Sequence, residues 1–483
     1  MTAPVVDAVH SLYASPSLSD HHVGATVLHH AMQASLGTPP RTAPAQATVA
    51  VDDSLPRLAW GCTVEGDEHR FRIGSGVESG DGFVFEGVWD GDFAAGRVHR
   101  TEFAFGSGAR TGRYVVFVPP KHCWEHLYVV VDQETSAAHV SNSAVYALVG
   151  AGIEPEHPFA RRVFADLRTS TDVATALGVD LYEPLVARDG RHAFYRMMFH
   201  NFMVVNGTIK VVPTPSSEYF RTFTGYRAFL SRTIERLAAN GSDPGRATPL
   251  VPITPLSSGY DSTATAVLAN ELGYKEAVTQ DLTVRGTYDS GAPIGAALGM
   301  SVHLTHHLMG TEPIETLSLD VGADQLDPYA EFLATAGLGD DVMLATMETH
   351  LENRIMLSGA MGDSVWRRNS SLPPGLPVRV VYGKSFTEFR LRVGYAFVPV
   401  PAIGARFPQP IRRITRLPGM APWTLNQPYD RPIPRRIAEQ AGLERGTFAV
   451  AKAAANPTLL YPPELTMAAV AQVAGRYAGT TAA

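Results

Sequence analysis

The stretch Pro249–Gly273, PLVPITPLSSGYDSTATAVLANELG, decides how the second half of this chain folds. Its first eight residues form an apolar run of buried-strand length, and STATAVLANELG (262–273) has the pattern of a helix terminated by Gly273. Between them lies Leu256-Ser257-Ser258-Gly259-Tyr260-Asp261-Ser262-Thr263. A loop in this position points backbone N–H groups and the positive end of a helix dipole at whatever sits above the strand, which suits phosphate. Gly259 permits close approach of backbone to oxygen, and Ser257, Ser258 and Ser262 offer hydroxyls. Asp261 is a ligand for a hard cation that would neutralise phosphate. The plainer alternative is that a serine simply caps the helix.

Working outward, EAVTQDLTV (276–284) and SVHLTHHLM (301–309) have the texture of strands, and GAPIGAALG (291–299) that of a helix. This alternation predicts a parallel sheet covered by helices on both faces, with ligands at the carboxyl ends of its strands. Upstream, GYRAFLSRTIERLAANG (225–241) predicts a helix capped by Gly241. From Leu58 to about Val131, short alternating runs such as HRFRIGSG, FVFEGVWDG and RYVVFVPP are separated by Gly and Asp turn signals, a β-rich pattern. LYVVVDQETSAAHVSNSAVYALVGAG (127–152) then predicts a strand, a turn and a helix. The first 50 or so residues, with GTPPRTAPAQAT, predict a surface segment, and Pro399–Pro434 an ordered loop-rich one. The expected architecture is a β-rich α+β N-terminal domain over 1–213 and an α/β domain with a parallel sheet over 214–483.

At 483 residues, 45% hydrophobic and 18% charged, the chain has the balance of a globular protein of two or three domains. A net charge of −7 provides no broad cationic surface for nucleic acid. Cys62 and Cys123 are the only cysteines, too few for a disulfide framework or a four-cysteine metal site, so a reducing cytoplasm is the expected location. No stretch reaches the eighteen or so apolar residues that span a bilayer, and no membrane partner is expected. Lysine occurs only at 121, 210, 275, 384 and 452, which draws attention to each one.

About a hundred residues past the first loop, Arg354-Ile355-Met356-Leu357-Ser358-Gly359-Ala360-Met361-Gly362-Asp363-Ser364 repeats its design: an apolar strand, a small Gly-containing turn and an acid. Together the two loops carry a resemblance. The first resembles the S-G-G-x-D-S pyrophosphate-binding loop of the ATP pyrophosphatase (PP-loop) superfamily, with Ser258 at the family's first glycine. The second resembles the L-S-G-x-G-x-D-E segment of asparagine synthetases and β-lactam synthetases. Gly383–Arg390 looks like the acid-bearing segment of β-lactam synthetase-like enzymes, and Gln427-Pro428-Tyr429-Asp430-Arg431 like their aromatic-Asp-Arg segment. The likeness covers roughly residues 215–460.

The resemblance implies an adenine nucleotide alpha hydrolase-like fold that uses ATP and Mg2+. The metal would lie on Asp261 and Asp363, with Leu256, Ser257, Ser258, Gly259, Tyr260, Asp261, Ser262, Gly359 and Gly362 around the nucleotide. It implies catalytic roles for Lys452 and Glu388, with Lys384 as the alternative lysine or a pyrophosphate ligand. The competing readings are a solvated surface Lys452 and a Glu388 paired with Arg390 or Arg392. The implied activity is that of an ATP-dependent, AMP-forming ligase that adenylates a carboxylate and condenses it with an amine. Its substrates would be small-molecule or short-peptide acids and amines of specialised metabolite biosynthesis. Alternatives are sulfur or nitrogen transfer to an activated carbonyl, and a degenerate homologue that binds nucleotide without catalysis.

Two departures from the family matter. Thr2 stands where glutamine-dependent enzymes of the family it resembles expose a catalytic cysteine, so glutamine hydrolysis is not expected, and the N-terminal half reads either as a decayed glutaminase-like scaffold or lid or as a separate β-rich module. Ala360 stands where the family places a Glu or Tyr that helps deprotonate the amine. Elsewhere, neither His21, His22, His29 and His30 nor His303, His306 and His307 have a zinc-ligand spacing. Past the second strand, Arg285 could reach a phosphate or a carboxylate, while Asp289 or Ser290 reads as a cap for the next helix.

Overall fold

Five strands form the sheet that positions the loops: β1 (Val251–Pro255), β2 (Glu276–Gln280), β3 (Ser301–Thr305), β4 (Arg354–Ser358) and β5 (Ala396–Pro399). All neighbours are parallel and their spatial order is 3-2-1-4-5. This computed structural model describes residues 45–483 except 170–183, 213, 215–219, 283–287, 307–315, 319–325, 328, 336–340, 369–384, 407, 428, 450–457 and 479–483. The central strands are apolar on both faces, with Ile253, Val278, Ile355, Met356 and Val398 all buried, as a sheet covered on both sides requires.

The β-rich half contributes two further sheets. A seven-stranded sheet includes Trp60–Glu65, Glu68–Ile73, Leu127–Asp132, Ala138–Ser141 and His192–Met197, and a six-stranded sheet includes Phe83–Trp89, Ala104–Arg110 and Asn201–Val205. They face one another across Trp60, Phe71, Leu127 and Val129 on one side and Val84, Phe117 and Phe202 on the other. Helix α1 (Ala144–Gly150), capped by the Ser143 hydroxyl, covers the outer face of the larger sheet. The fold is thus mixed α/β, with a β-rich N-terminal part and a parallel five-stranded sheet. Among the described residues no helix is long and apolar enough to cross a membrane.

Around the parallel sheet run α2 (Phe223–Gly241), α3 (Tyr260–Glu271), α4 (Ala292–Ala297), α5 (Gly362–Val365), α6 (Thr387–Val393), α7 (Pro432–Gln440) and α8 (Pro463–Ala478). Gly273 ends α3 as expected: at φ +89° it lets Tyr274 N–H reach back to Ala269 O at 3.0 Å. Gly241 departs from expectation. It is the last helical residue and is small for packing, because a Cβ there would lie 2.6 Å from Ile355 and 2.8 Å from Leu250 O. The segment expected to be a strand, a turn and a helix holds a second strand, Ala138–Ser141. Its polar residues masked it in the sequence; in place, His139 Nδ1 lies 3.2 Å from Thr63 Oγ1 and Ser141 Oγ donates to Trp60 O at 2.8 Å.

All described residues belong to one compact unit, Ala45–Ala483, in which the β-rich and parallel-sheet parts share an apolar core. Arg390 of α6 is buried at their junction, bonded to both oxygens of Glu86 at 2.8 and 3.1 Å and to Glu125. Tyr146 of α1 stacks on Tyr477 of α8, with centroids 4.7 Å apart and planes 5° apart.

Candidate functional site

The first three strands progress to one side of β1, and the chain then returns to lay β4 against its other side. At such a switch point the connections leaving two neighbouring strands diverge and open a crevice at their carboxyl ends. Strands β1 and β4 run in register, Val251 opposite Arg354 and Ile253 opposite Met356, so Ser257–Ser262 and Gly359–Asp363 emerge side by side. The loops touch. A Cβ on Gly359 would lie 2.5 Å from the backbone of Asp261 and Ser262, and one on Gly362 would lie 2.1 Å from Asp261 Cγ.

Asp261 and Asp363 occupy the first turns of α3 and α5, where the helix dipole favours a carboxylate. Both point at a single guanidinium: Arg431 bonds Asp261 Oδ2 through one terminal nitrogen and Asp363 Oδ1 through the other. The Arg431 side chain is only 5% exposed, and burial lowers its pKa to about 10. Its guanidinium lies 5.0 Å from the centre of the Tyr429 ring. Asp261 Oδ1 is buried without a hydrogen-bond partner, so the carboxylate has an oxygen to offer a ligand.

Within the first loop the hydroxyls turn toward each other. Ser257 Oγ and Ser262 Oγ are 2.9 Å apart, Ser257 Oγ accepts from Gly259 N–H at 3.2 Å, and Thr263 Oγ1 donates to Gly259 O at 2.7 Å. These bonds set the shape of the turn. Gly259, the N-cap of α3, brings no side-chain cap, which leaves the helix end to an external acceptor. Ser258 directs its hydroxyl to Asp289 Oδ1, and its N–H donates to Asp289 O at 3.2 Å. Asp289 therefore braces the loop and does not cap α4; the Ser290 hydroxyl accepts from Ala292 N–H at 3.1 Å at that helix start. Burial raises the Asp289 pKa, opposed by the Ser258 bonds.

Two of the residues expected around a nucleotide have buried side chains. Leu256 is core: its side chain packs where a Cβ on Gly291 would come within 2.4 Å. The Tyr260 ring is wholly buried, 4.9 Å from the Tyr429 ring and the same distance from the Arg435 guanidinium.

Glu388, on α6, pairs with neither Arg390 nor Arg392. It accepts from Ser143 Oγ at 2.6 Å and Tyr477 OH at 2.7 Å, and none of these partners belongs to either loop. Burial pushes its pKa up to about 7 against those two hydrogen bonds. Arg392 is held instead by Glu331 and Glu348. Lys384, Lys452 and Arg285, the two N-terminal histidine pairs and His307 lie outside the described residues. Ala449, three positions before Lys452, donates its N–H to Ser258 O at 2.6 Å and so ties that part of the chain to the first loop.

Among the described residues no group of three His, Cys, Asp or Glu converges on a metal position. His303 stacks on His350 at 4.5 Å, and His306 Nδ1 lies 2.9 Å from Asp281. The site has two residues that the sequence did not single out. Arg431 was visible only as the end of the aromatic-Asp-Arg segment, and Asp289 only as a helix-cap candidate. No family model matches the chain, and no curated protein matches it in sequence.

Proposed function

We propose that this protein is an ATP-dependent, AMP-forming ligase of the PP-loop type, which activates a substrate carboxylate as its adenylate and transfers the acyl group to an amine. One observation carries the reading: Asp261 and Asp363, from separate strand-to-helix turns, converge at the switch point of a parallel sheet. The donor set fits Mg2+, which commonly takes one or two carboxylates and completes its shell with phosphate oxygens and water. Asp261 Oδ1, buried without a partner, supplies the free ligand atom. Bound there, Mg2+ would neutralise charge on the pyrophosphate leaving group.

The chain's own contribution is positional. The uncapped start of α3 and the loop N–H groups would hold the phosphates, while Gly359 and Gly362 let the second loop pack directly against Asp261. Lys452 remains the candidate for charge stabilisation. Lys384 keeps its place as the second lysine candidate. Glu388, with its two buried hydrogen bonds, is assigned to positioning α6. The proposed substrates are a small-molecule or short-peptide acid and an amine, without glutamine as nitrogen source.

Pyrophosphate release in the presence of Mg·ATP and panels of acids and amines tests the proposal. Asp261→Asn and Asp363→Asn should each lower release by about a hundredfold or more while circular dichroism stays unchanged. Wild-type turnover in either variant would remove the assignment. Ala360 favours a second reading, since a methyl group cannot take a proton from an amine: a nucleotide-binding protein without ligase activity. ATP binding by calorimetry with no pyrophosphate release from any acid would select it.

A further inference from the structure

We propose that Arg431 is a displaceable counter-ion that makes divalent-cation binding at Asp261 and Asp363 conditional on phosphate. This inference rests on the nucleotide-site reading above. The guanidinium already neutralises both acids, one nitrogen to each, and it is the only cation bonded to Asp261 among the described residues. A divalent ion on the same two carboxylates would sit beside this positive charge. Two cations at such short range in a half-buried crevice repel strongly, so Arg431 must release at least one acid when the metal enters.

Released into the crevice, a buried guanidinium needs another anion. The nearest place for one is the first loop itself, because Asp261 belongs to that loop and an oxyanion seated on the uncapped start of α3 lies one residue away along the chain. Arg431 is at the same time anchored from behind: its backbone precedes α7, its guanidinium rests against the Tyr429 ring, and the next turn of α7 packs Arg435 over Tyr260. Its reach is therefore restricted to this crevice. Metal alone must break the clamp with nothing to receive the guanidinium. Metal arriving with a phosphate chain moves the guanidinium from carboxylate to phosphate, and the charge-assisted hydrogen bonds are exchanged instead of lost. The consequence is positive coupling between cation and nucleotide, set by one side chain.

The experiment is Mn2+ binding to the full chain, followed by electron paramagnetic resonance without nucleotide. Arg431→Ala should bind Mn2+ about ten- to a hundredfold more tightly than wild type, because the competing bonds are gone. Arg431→Lys, a point charge that cannot bridge both acids, should fall between the two. Adding Asp261→Asn to Arg431→Ala should abolish the gain. If Arg431→Ala does not fold, the Arg431→Lys comparison decides alone. Mn2+ affinity in the folded variants equal to or weaker than that of wild type overturns the clamp. ATP binding by the wild-type protein separates the two claims: binding without a gain in the variants removes the clamp and leaves the ligase reading. A gain in the variants without wild-type ATP binding does the reverse.

Discussion

Gly362→Ala tests whether the two loops meet as described. The new Cβ would lie 2.1 Å from Asp261 Cγ and 2.4 and 2.6 Å from its two oxygens. Carbon–carbon contacts settle at about 3.5–4.0 Å, so the carboxylate must retreat by roughly 1.5 Å. It has little freedom to do so, since Asp261 is short and clamped by Arg431. Overpacking of this kind costs about 1–3 kcal/mol, and replacing glycine in a helical turn returns about 0.5–1 kcal/mol. The net stability loss is therefore small, about 0–2.5 kcal/mol, while a misplacement of about 1 Å at a reacting site lowers rate by about a hundredfold. Gly359→Ala should behave differently. Its Cβ meets backbone, Asp261 C and Ser262 N at 2.5 Å, which no rotamer relieves, so it should lower stability more. Gly475→Ala, in α8 with open space around the position, is the control and should stabilise by about 0.5–1 kcal/mol. Calorimetric unfolding and pyrophosphate release, measured on the same three variants, separate these effects. A Gly362→Ala protein with unchanged melting and unchanged turnover would refute the contact between the loops.

Two further perturbations address the junction between the β-rich and parallel-sheet parts. Arg390→Met leaves Glu86 and Glu125 buried without their cation and should cost about 3–5 kcal/mol in chemical denaturation; adding Glu86→Gln and Glu125→Gln should restore most of it. If the single variant loses nothing, Arg390 does not hold the junction. The pH dependence follows from Glu388, whose pKa burial raises from 4.5 to about 7. The folded state keeps a proton there that the unfolded chain has released above about pH 4.5, so this contribution is complete below pH 4.5 and falls as pH rises through 7, by up to ~3 kcal/mol. His122 and His139, held neutral by burial, give the opposite slope at lower pH. The informative quantity is thus the difference between wild type and Glu388→Gln in urea midpoint from pH 4.5 to 8. A difference that does not change with pH contradicts the shift.

The sequence was most legible where local pattern and tertiary placement agree. The run from Pro249 to Gly273 has strand length, turn chemistry and a glycine stop, and each survives in the folded chain because the central strand of a parallel sheet must be apolar throughout. Arg390 and the segment Lys121–His126 were illegible for the opposite reason. Six consecutive residues, KHCWEH, carry two histidines, a lysine and a glutamate, yet all are buried. Lys121 donates to Asn201 Oδ1 at 2.7 Å and Thr214 Oγ1 at 3.0 Å, and Glu125 meets Arg390 from across the junction. Partners 80 to 265 positions away make that burial tolerable, and no local pattern announces them. Arg431 belongs to the same class, since its meaning depends on two acids 170 and 68 residues earlier in the chain.

Ser258 holds the first loop to its neighbours through three bonds. Its hydroxyl is directed to Asp289 Oδ1. The same residue receives Ala449 N–H on its carbonyl oxygen and gives its own N–H to Asp289 O, so the loop is fixed to two other segments at a single position. Removing the hydroxyl leaves the half-buried Asp289 carboxylate short of a donor. The loop would then lose the side-chain part of its brace. Ser258 is thus a residue on which the shape of the turn depends. The cost of Ser258→Gly would fall on Asp289, which loses the hydroxyl donor.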